Sequence, residues 1–210
     1  MKLIEKINIK GTITLKTGLF IGGTNDSMQI GGLDKMVIKD PLTGLPYIPG
    51  STIKGKLRSL IELKYGETCN GKPAKSNDTH SVALFGSSAD GNSHPSRLIV
   101  RDAFINEACK ENFKVKGVPF SESKTEVLID RITAESNPRT FERVPAGAVF
   151  DLNMVLNVFD FPDSNLQSKK NLLATLKEAI NLLQNDYLGG QGSRGYGQIE
   201  ILLDKELDQL

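Results

Sequence analysis

Phe150-Asp151-Leu152-Asn153-Met154-Val155-Leu156-Asn157-Val158 sets Phe150, Leu152, Met154, Leu156 and Val158 against Asp151, Asn153 and Asn157. A period of two residues is that of a half-buried strand, apolar toward a core and polar away from it. After the turn at Phe161-Pro162-Asp163, Ser164 can cap a long helix whose Leu172, Leu173, Leu176, Ile180 and Leu183 make one apolar stripe. Ile199, Ile201 and Leu203 then supply a last strand. The chain opens the same way, with Ile7, Ile9, Ile13 and Leu15 alternating with Asn8, Lys10, Thr12 and Thr14.

Between these ends, a short strand is expected over Met36–Lys39, followed by the proline- and glycine-rich connector from Pro41 to Gly50. Ser51 is a good N-cap for a helix carrying Ile53, Leu57, Leu60 and Ile61 at helical spacing. Gly66 to His94 reads as a surface insertion with one apolar island, Val82-Ala83-Leu84-Phe85-Gly86. Arg97–Asp102, with its continuous apolar centre, is expected to be a central strand, and Phe113 to Pro119 to be irregular. Then comes a charged stretch around Val127-Leu128-Ile129, expected to fold as a hairpin with an apolar base and a charged tip, which Pro138 bars from regular pairing. The order of elements predicts an α+β fold, with the ferredoxin-like βαββαβ arrangement as template and both helices on one sheet face. We expect a single domain over 1–210, with insertions over about 17–50, 66–96 and 120–146.

Composition narrows the function. With 39% hydrophobic and 24% charged residues, the chain is neither disordered nor membrane-embedded in character. A formal net charge of +1 means that an anionic partner must be held by local cations, not by the global field. Cys69 and Cys109 are isolated, His80 and His94 sit in loops, and no zinc-ligand spacing is present, so reduced thiols, no structural zinc and a cytoplasmic location are expected. Neither a Ser-His-Asp order nor a phosphate-binding P-loop occurs.

What remains is carboxylates, cations and glycines. Gly189-Gly190-Gln191-Gly192-Ser193-Arg194-Gly195-Tyr196-Gly197 can bring backbone N–H groups to an anion, with Arg194 adding charge and Tyr196 a stacking face; a slack connector is the other reading. Lys54 and Arg58, four residues apart, project from one helix face, as a phosphate contact or as a solvated basic face. Asp34 follows a glycine pair, and Glu122, Glu126 and Glu142 flank the hairpin. Any of the four could hold a divalent ion or take a proton from a sugar hydroxyl, and the three glutamates could equally form an ion-pair network.

Ile21-Gly22-Gly23, Gly32-Leu33-Asp34, the connector Leu45 to Gly50 running into Ser51-Thr52-Ile53-Lys54-Gly55-Lys56-Leu57-Arg58, Asp130-Arg131-Ile132-Thr133 and the late glycine loop together resemble a RAMP-superfamily CRISPR protein. More narrowly they resemble the repeated backbone subunit of the type III-A (Csm) interference complex, over nearly the whole chain. The resemblance implies an RRM-like core and a subunit that assembles in several copies along a CRISPR RNA, beside other Csm subunits, and cuts the paired target RNA once per copy. It implies Asp34 as the catalytic residue, with Mg2+ or Mn2+ transiently bound there, and cleavage leaving a cyclic phosphate.

Guide-RNA contacts implied by the resemblance fall on Ser51, Lys54, Arg58, Gly190, Gly192, Ser193, Arg194, Gly195 and Tyr196. The hairpin around Ile132 to Pro145, with Arg131, Ile132, Arg139 and Arg143, matches the family's thumb, which wedges into the guide–target duplex. Many relatives carry a histidine just before Ile21-Gly22-Gly23, where this chain has Phe20. Two alternatives stay open: a non-catalytic scaffold on CRISPR RNA, and a stand-alone guide-processing endonuclease.

Overall fold

Leu3–Leu15 forms β1, and its odd-numbered residues from Ile7 to Leu15 face inward. The computed structural model describes residues 2–23, 35–68, 70–76, 79–88, 94–160 and 165–209. Beyond β1 come β2 (Tyr47–Ile48), α1 (Gly50–Tyr65), α2 (His80–Phe85), β3 (Leu98–Val100), β4 (Ala103–Phe104) and α3 (Glu107–Lys116). They are followed by β5 (Glu122–Ile129), β6 (Ser136–Arg143), β7 (Val149–Phe159), α4 (Lys169–Gln184) and β8 (Ile199–Leu203).

The main sheet has the order β3-β7-β1-β8 and is antiparallel throughout. Phe150 stands opposite Ile13, Met154 opposite Ile9 and Leu156 opposite Ile7, so the alternation in each strand fills the same side. Onto that side pack Ile53, Leu57 and Ile61 of α1 and Leu172, Leu176, Ala179 and Leu183 of α4, all in one buried cluster. With the insertions set aside, the order is β1–α1–β3–β7–α4–β8, a strand–helix–strand repeated twice. A second ribbon, β5–β6, stands apart from this sheet.

Several local expectations are corrected. The cap of α1 is Pro49, whose carbonyl accepts from Thr52 and Ile53, not Ser51, which lies inside the first turn. The N–H of Gly50 is taken by Oδ1 of Asp102 at 2.7 Å, a carboxylate supplied from across the chain. For α4 the cap is Ser168, accepting from Asn171; Ser164 lies outside the described residues. Within residues 97–102 only Leu98–Val100 pair, as β3, and β3 lies at the edge of the sheet beside β7 with Ile99 facing outward. Met36–Lys39 makes isolated bridges, Val37 to Gly22 and Lys39 to Pro46, instead of a strand.

Residues 107–116, part of which was expected to be irregular, are helical, capped by Asn106 and closed by Gly117 in the left-handed region. The island in the 66–96 insertion is α2, and its Val82, Leu84 and Phe85 belong to the core. Pairing in the hairpin continues through Pro138, which stands opposite Val127. A two-stranded ribbon has an outer edge on each strand, so a residue without an N–H is accommodated there. Both ends are mixed in polarity: Val127, Leu128, Ile129 and Ile132 are exposed near the tip beside Asp130, Arg131 and Arg139, while ion pairs lie with the buried Phe141 and Val144 at the base.

Candidate nucleic-acid interface and cleavage site

Two segments frame the region where Asp34 belongs. Gly23 donates its N–H to the Met36 carbonyl at 3.2 Å and Ile38 donates to Ile21 at 2.9 Å, so the chain returns beside the point where it left. Asp34 itself lies outside the described residues. Lys35, the next residue, is held: its carbonyl accepts the Glu142 N–H at 2.9 Å and its amine lies 5.6 Å from the Phe141 ring centre. The covalent neighbour of Asp34 is thereby fixed to the base of the hairpin.

The three glutamates are committed to partners. Glu142 is buried, and its carboxylate accepts from Val37 N–H at 3.0 Å, Lys39 Nζ at 2.6 Å and Ser121 Oγ at 2.6 Å. Burial raises its pKa, but those donors outweigh burial and leave it below the ordinary carboxylate value. Glu122 binds Arg143 through Nε and Nη2, each at 2.7 Å. Glu126 stands 3.6 Å from Lys124 and 3.6 Å from Arg194. This is the ion-pair reading, and among the described residues no group of three or more His, Cys, Asp or Glu side chains is arranged to hold a metal.

Tyr196 lies at the centre of this network. Its ring is 2% exposed, with Lys124 Nζ at 4.7 Å and the Arg143 guanidinium at 5.2 Å from the ring centre. A base cannot stack on it; the faces belong to the hairpin's own cations. Burial and the adjacent Glu126 carboxylate, opposed by Arg143, push its hydroxyl pKa up to about 12.

The glycine loop is a packed joint. Gly190 donates to Phe20 at 2.8 Å, Gly197 to Gly18 at 2.9 Å and Gly195 to Gly192 at 2.9 Å, so these three N–H groups are spent within the protein. A Cβ at Gly189 would lie 2.3 Å from the Phe20 carbonyl oxygen and one at Gly197 2.0 Å from that of Leu188. Their positive φ values, 78° and 74°, add a second reason for glycine. Gly192 lies against the Tyr187 ring, within one turn of 3-10 helix that runs through Ser193 to Arg194. Arg194 extends outward, 55% exposed, bonded to Gln191 and facing Glu126. Phe20 meets Phe141 edge-on at 5.9 Å.

On α1 the two cations part company. Arg58 donates to Glu62 Oε1 at 2.7 Å, Gly86 O at 3.0 Å and Ala74 O at 3.0 Å, binding the insertion to the helix. These bonds fasten the insertion to α1, and the Arg58–Glu62 spacing of four residues is the sequence signal for the ion pair. Lys54 donates to Ser96 Oγ at 2.7 Å and is half-buried; burial, then Arg58, lowers its pKa. Ser51 is exposed beside them. A surface cleft of about 360 Å3 lined by Arg58, Lys72, Lys75, Ser87 and Ser88 adds two exposed lysines that periodicity could not single out.

At the hairpin tip Ile132 is 95% exposed, and Arg131 and Arg139 are exposed around it. Asp130 accepts from the N–H groups of Ile132 and Thr133, each at 2.8 Å, and those bonds hold its pKa low. Arg143 sits at the base with Glu122, not at the tip.

A family model described as the RAMP superfamily matches residues 12–200. A protein of Enterococcus italicus named "CRISPR system Cms endoribonuclease Csm3" is 42% identical over 202 residues, spanning 96% of this chain and 92% of that one. One of Mycobacterium tuberculosis with the same name is 38% identical over 208 residues, 93% and 86% of the two chains. Among solved structures, a Csm3–Csm4 subcomplex of the type III-A CRISPR-Cas interference complex matches at 31% identity with a TM-score of 0.60, over 96% of this chain and 77% of that one. The crystal structure of Methanopyrus kandleri Csm3, at 22% identity, matches in fold with a TM-score of 0.63, over 93% and 74%.

Proposed function

The chain belongs to the RAMP superfamily and to its Csm3 endoribonucleases of type III-A CRISPR complexes, and from that membership we propose that it lines a CRISPR RNA in several copies and cuts the paired target RNA at regular intervals. The β–α–β–β–α–β order supports a ferredoxin-like, RRM-like core as the module that repeats. Its partners in this reading are CRISPR RNA, complementary target RNA, further copies of itself and other Csm subunits, in the cytoplasm. Among the described residues no helix is long and apolar enough to cross a membrane.

The chemistry is a transesterification within the RNA. The 2′-oxygen of one nucleotide attacks its own 3′ phosphorus and loses its proton, while the bond to the 5′-oxygen of the next nucleotide breaks and that oxygen gains a proton. The products are a 2′,3′-cyclic phosphate and a 5′-hydroxyl. In-line attack is forbidden to a regular A-form strand, so distortion is the first requirement. The exposed Leu128, Ile129 and Ile132 suit a wedge that unstacks a base, and Arg131 and Arg139 suit the phosphates around it.

Asp34 is the carboxylate assigned to proton transfer or charge stabilisation at that phosphate. The observation that most supports this is the bond from Glu142 N–H to Lys35 O, which joins the residue next to Asp34 to the wedge's base. The described carboxylates do not form a site for Mg2+ or Mn2+, since Glu122, Glu126 and Glu142 each serve a cation. A divalent ion stays in the proposal with Asp34 as the protein ligand named for it, where it would stabilise charge at the phosphate.

The test is cleavage of a labelled target by assembled complex. With Asp34→Ala the target should bind as before and remain intact, where the native complex gives a ladder of even steps. Unchanged cutting would sink the assignment. Omitting divalent ions with chelator present should stop the native complex; undiminished cutting would remove the metal from the mechanism.

A further inference from the structure

The ribbon β5–β6 pairs with no strand of the main sheet. Among the described residues, the backbone bonds at its root belong to the β6 side, Glu142 to Lys35 and Val144 to Leu19. β5 is held by side chains. Its Glu122, Lys124 and Glu126 are partly buried while Ser123, Thr125 and Val127 are exposed, so every second residue turns inward. What that face meets is Tyr196 of the late glycine loop. Lys124 of β5 and Arg143 of β6 both stand over its ring, at 4.7 Å and 5.2 Å from the centre.

Acids of β5 fix both cations: Glu122 binds Arg143 at 2.7 Å, and Glu126 stands 3.6 Å from Lys124 and 3.6 Å from Arg194. On the other side the ring is anchored to the core. Gly197, the next residue, donates to Gly18 O at 2.9 Å, and a Cβ at Gly18 would fall 2.6 Å from Arg143 Cδ. From Lys124 to Ile129 the strand runs about 17 Å at ~3.4 Å per residue, so a tilt of about 5° at the ring moves its far end by about 1.5 Å.

We propose that Tyr196 is a positioning residue: its buried ring, gripped by one cation from each strand of the ribbon, sets the angle at which the hairpin leaves the core and so where the wedge enters the guide–target duplex. This rests on the reading of the hairpin as a wedge. Tyr196 touches no RNA in this account and acts through Lys124 and Arg143.

Two measurements test it. Spin labels on Glu135→Cys beside the turn and Lys170→Cys at the start of α4 report the hairpin's direction, in a Cys69→Ser full chain whose other cysteine, Cys109, is buried. Labelled chain is diluted with unlabelled chain, so that only distances within one copy are read. Single-turnover cleavage of end-labelled target by the assembled complex, with target binding in parallel, reports the consequence. Tyr196→Leu should broaden the distance distribution and slow cutting by on the order of 100-fold, as expected for misplacement near 1 Å, with target affinity unchanged. Tyr196→Phe keeps the ring and should restore the narrow distribution and most of the rate. Lys124→Glu alters a partly exposed side chain, placing a third carboxylate beside Glu122 and Glu126, and should act as Tyr196→Leu does, so the proposal stays testable if that variant does not fold.

A native distance distribution in both Tyr196→Leu and Lys124→Glu would overturn the proposal, as would a broadened one with native cutting. So would Tyr196→Phe as impaired as Tyr196→Leu, which would make the hydroxyl the acting group, or lost target binding with an unchanged distribution, which would make the ring an RNA contact. Ile132→Asp run alongside separates the two claims: if that variant cuts normally the wedge reading falls, whereas if it is impaired and the Tyr196 and Lys124 variants are normal, only the positioning role falls.

Discussion

Arg58 donates through Nη1 to the carbonyl oxygen of Gly86 at 3.0 Å, so a cation four residues from Lys54 on the same helix is bonded to the protein's own oxygens. Removing it leaves Glu62, itself 5% exposed, without its charged partner. Arg58→Ala should destabilise the fold by about 3 kcal/mol, the cost of breaking a largely buried pair, seen as a lowered denaturation midpoint. Lys54→Ala should leave that midpoint nearly unchanged. In RNA titrations against salt it should lower the slope by about 1, as one lost phosphate contact does. An unaltered slope would mean that Lys54 serves only Ser96.

The glycine loop makes a second, graded prediction. Gly195 has φ +85° and open space around its Cβ position, so Gly195→Ala carries the backbone cost alone, about 1 kcal/mol. Gly197→Ala adds a 2.0 Å collision with the Leu188 carbonyl oxygen and should cost at least twice as much. Thermal denaturation of the two variants checks the order. Equal losses would mean that the joint at Leu188 yields.

At the hairpin tip, Ile132→Asp should leave stability within about 0.5 kcal/mol of native, since an exposed position has little packing to lose. Target cleavage should fall while guide binding holds. Comparing melting curves with the cleavage ladder separates a wedge from a surface loop: unchanged cutting would remove the wedge from the mechanism.

The pH dependence of the Glu142 junction follows from the sign of its shift. Its pKa in the folded protein lies below the ordinary value, so the bonds to Lys39, Ser121 and Val37 contribute fully above the unfolded carboxylate's pKa, near 4.5. That contribution disappears as pH falls through the lower folded value. The stability difference between native protein and Glu142→Gln should therefore be widest at neutral pH and shrink on acidification below 4.5. A gap independent of pH would show that the carboxylate's charge is immaterial.

The parts of the molecule visible in the sequence are those in which one periodicity decides. Strands β1, β7 and β8 and the stripes of α1 and α4 each repeat a pattern long enough to fix both element and face. Short pieces fail that criterion. Residues 107–116 bury only Cys109 and Phe113 from the helix, which is too few for a stripe to stand out. Residues 97–102 are apolar enough for a central strand, yet only Leu98–Val100 pair and β7 is their one neighbour in the sheet, a pairing that hydrophobicity does not encode.

The site was legible as a set of residues and not as a set of roles. Arg143, Arg194 and Tyr196 do meet Glu122 and Glu126 on the hairpin, whereas Arg58 lies with the insertion and Arg131 and Arg139 toward the tip. Their partners come from far along the chain, Val37 and Lys39 for Glu142 or Phe20 for Gly190, and no local pattern encodes a pairing at that separation. The glycines of the late loop were read as room for an anion, whereas at Gly189 and Gly197 the room is filled by the protein's own carbonyls.

The bonds that join Gly23 to Met36 and Lys35 to Glu142 close the mouth of the segment between them. Closure entropy grows slowly with the number of residues between two joined points, so doubling that number costs only about 0.6 kcal/mol. Asp34 is joined by a single peptide link, about 3.8 Å between Cα atoms, to Lys35, whose carbonyl accepts from Glu142. Extra residues inserted just after Gly23 should be tolerated by the fold and by catalysis alike. One residue inserted between Asp34 and Lys35 should be tolerated by the fold alone.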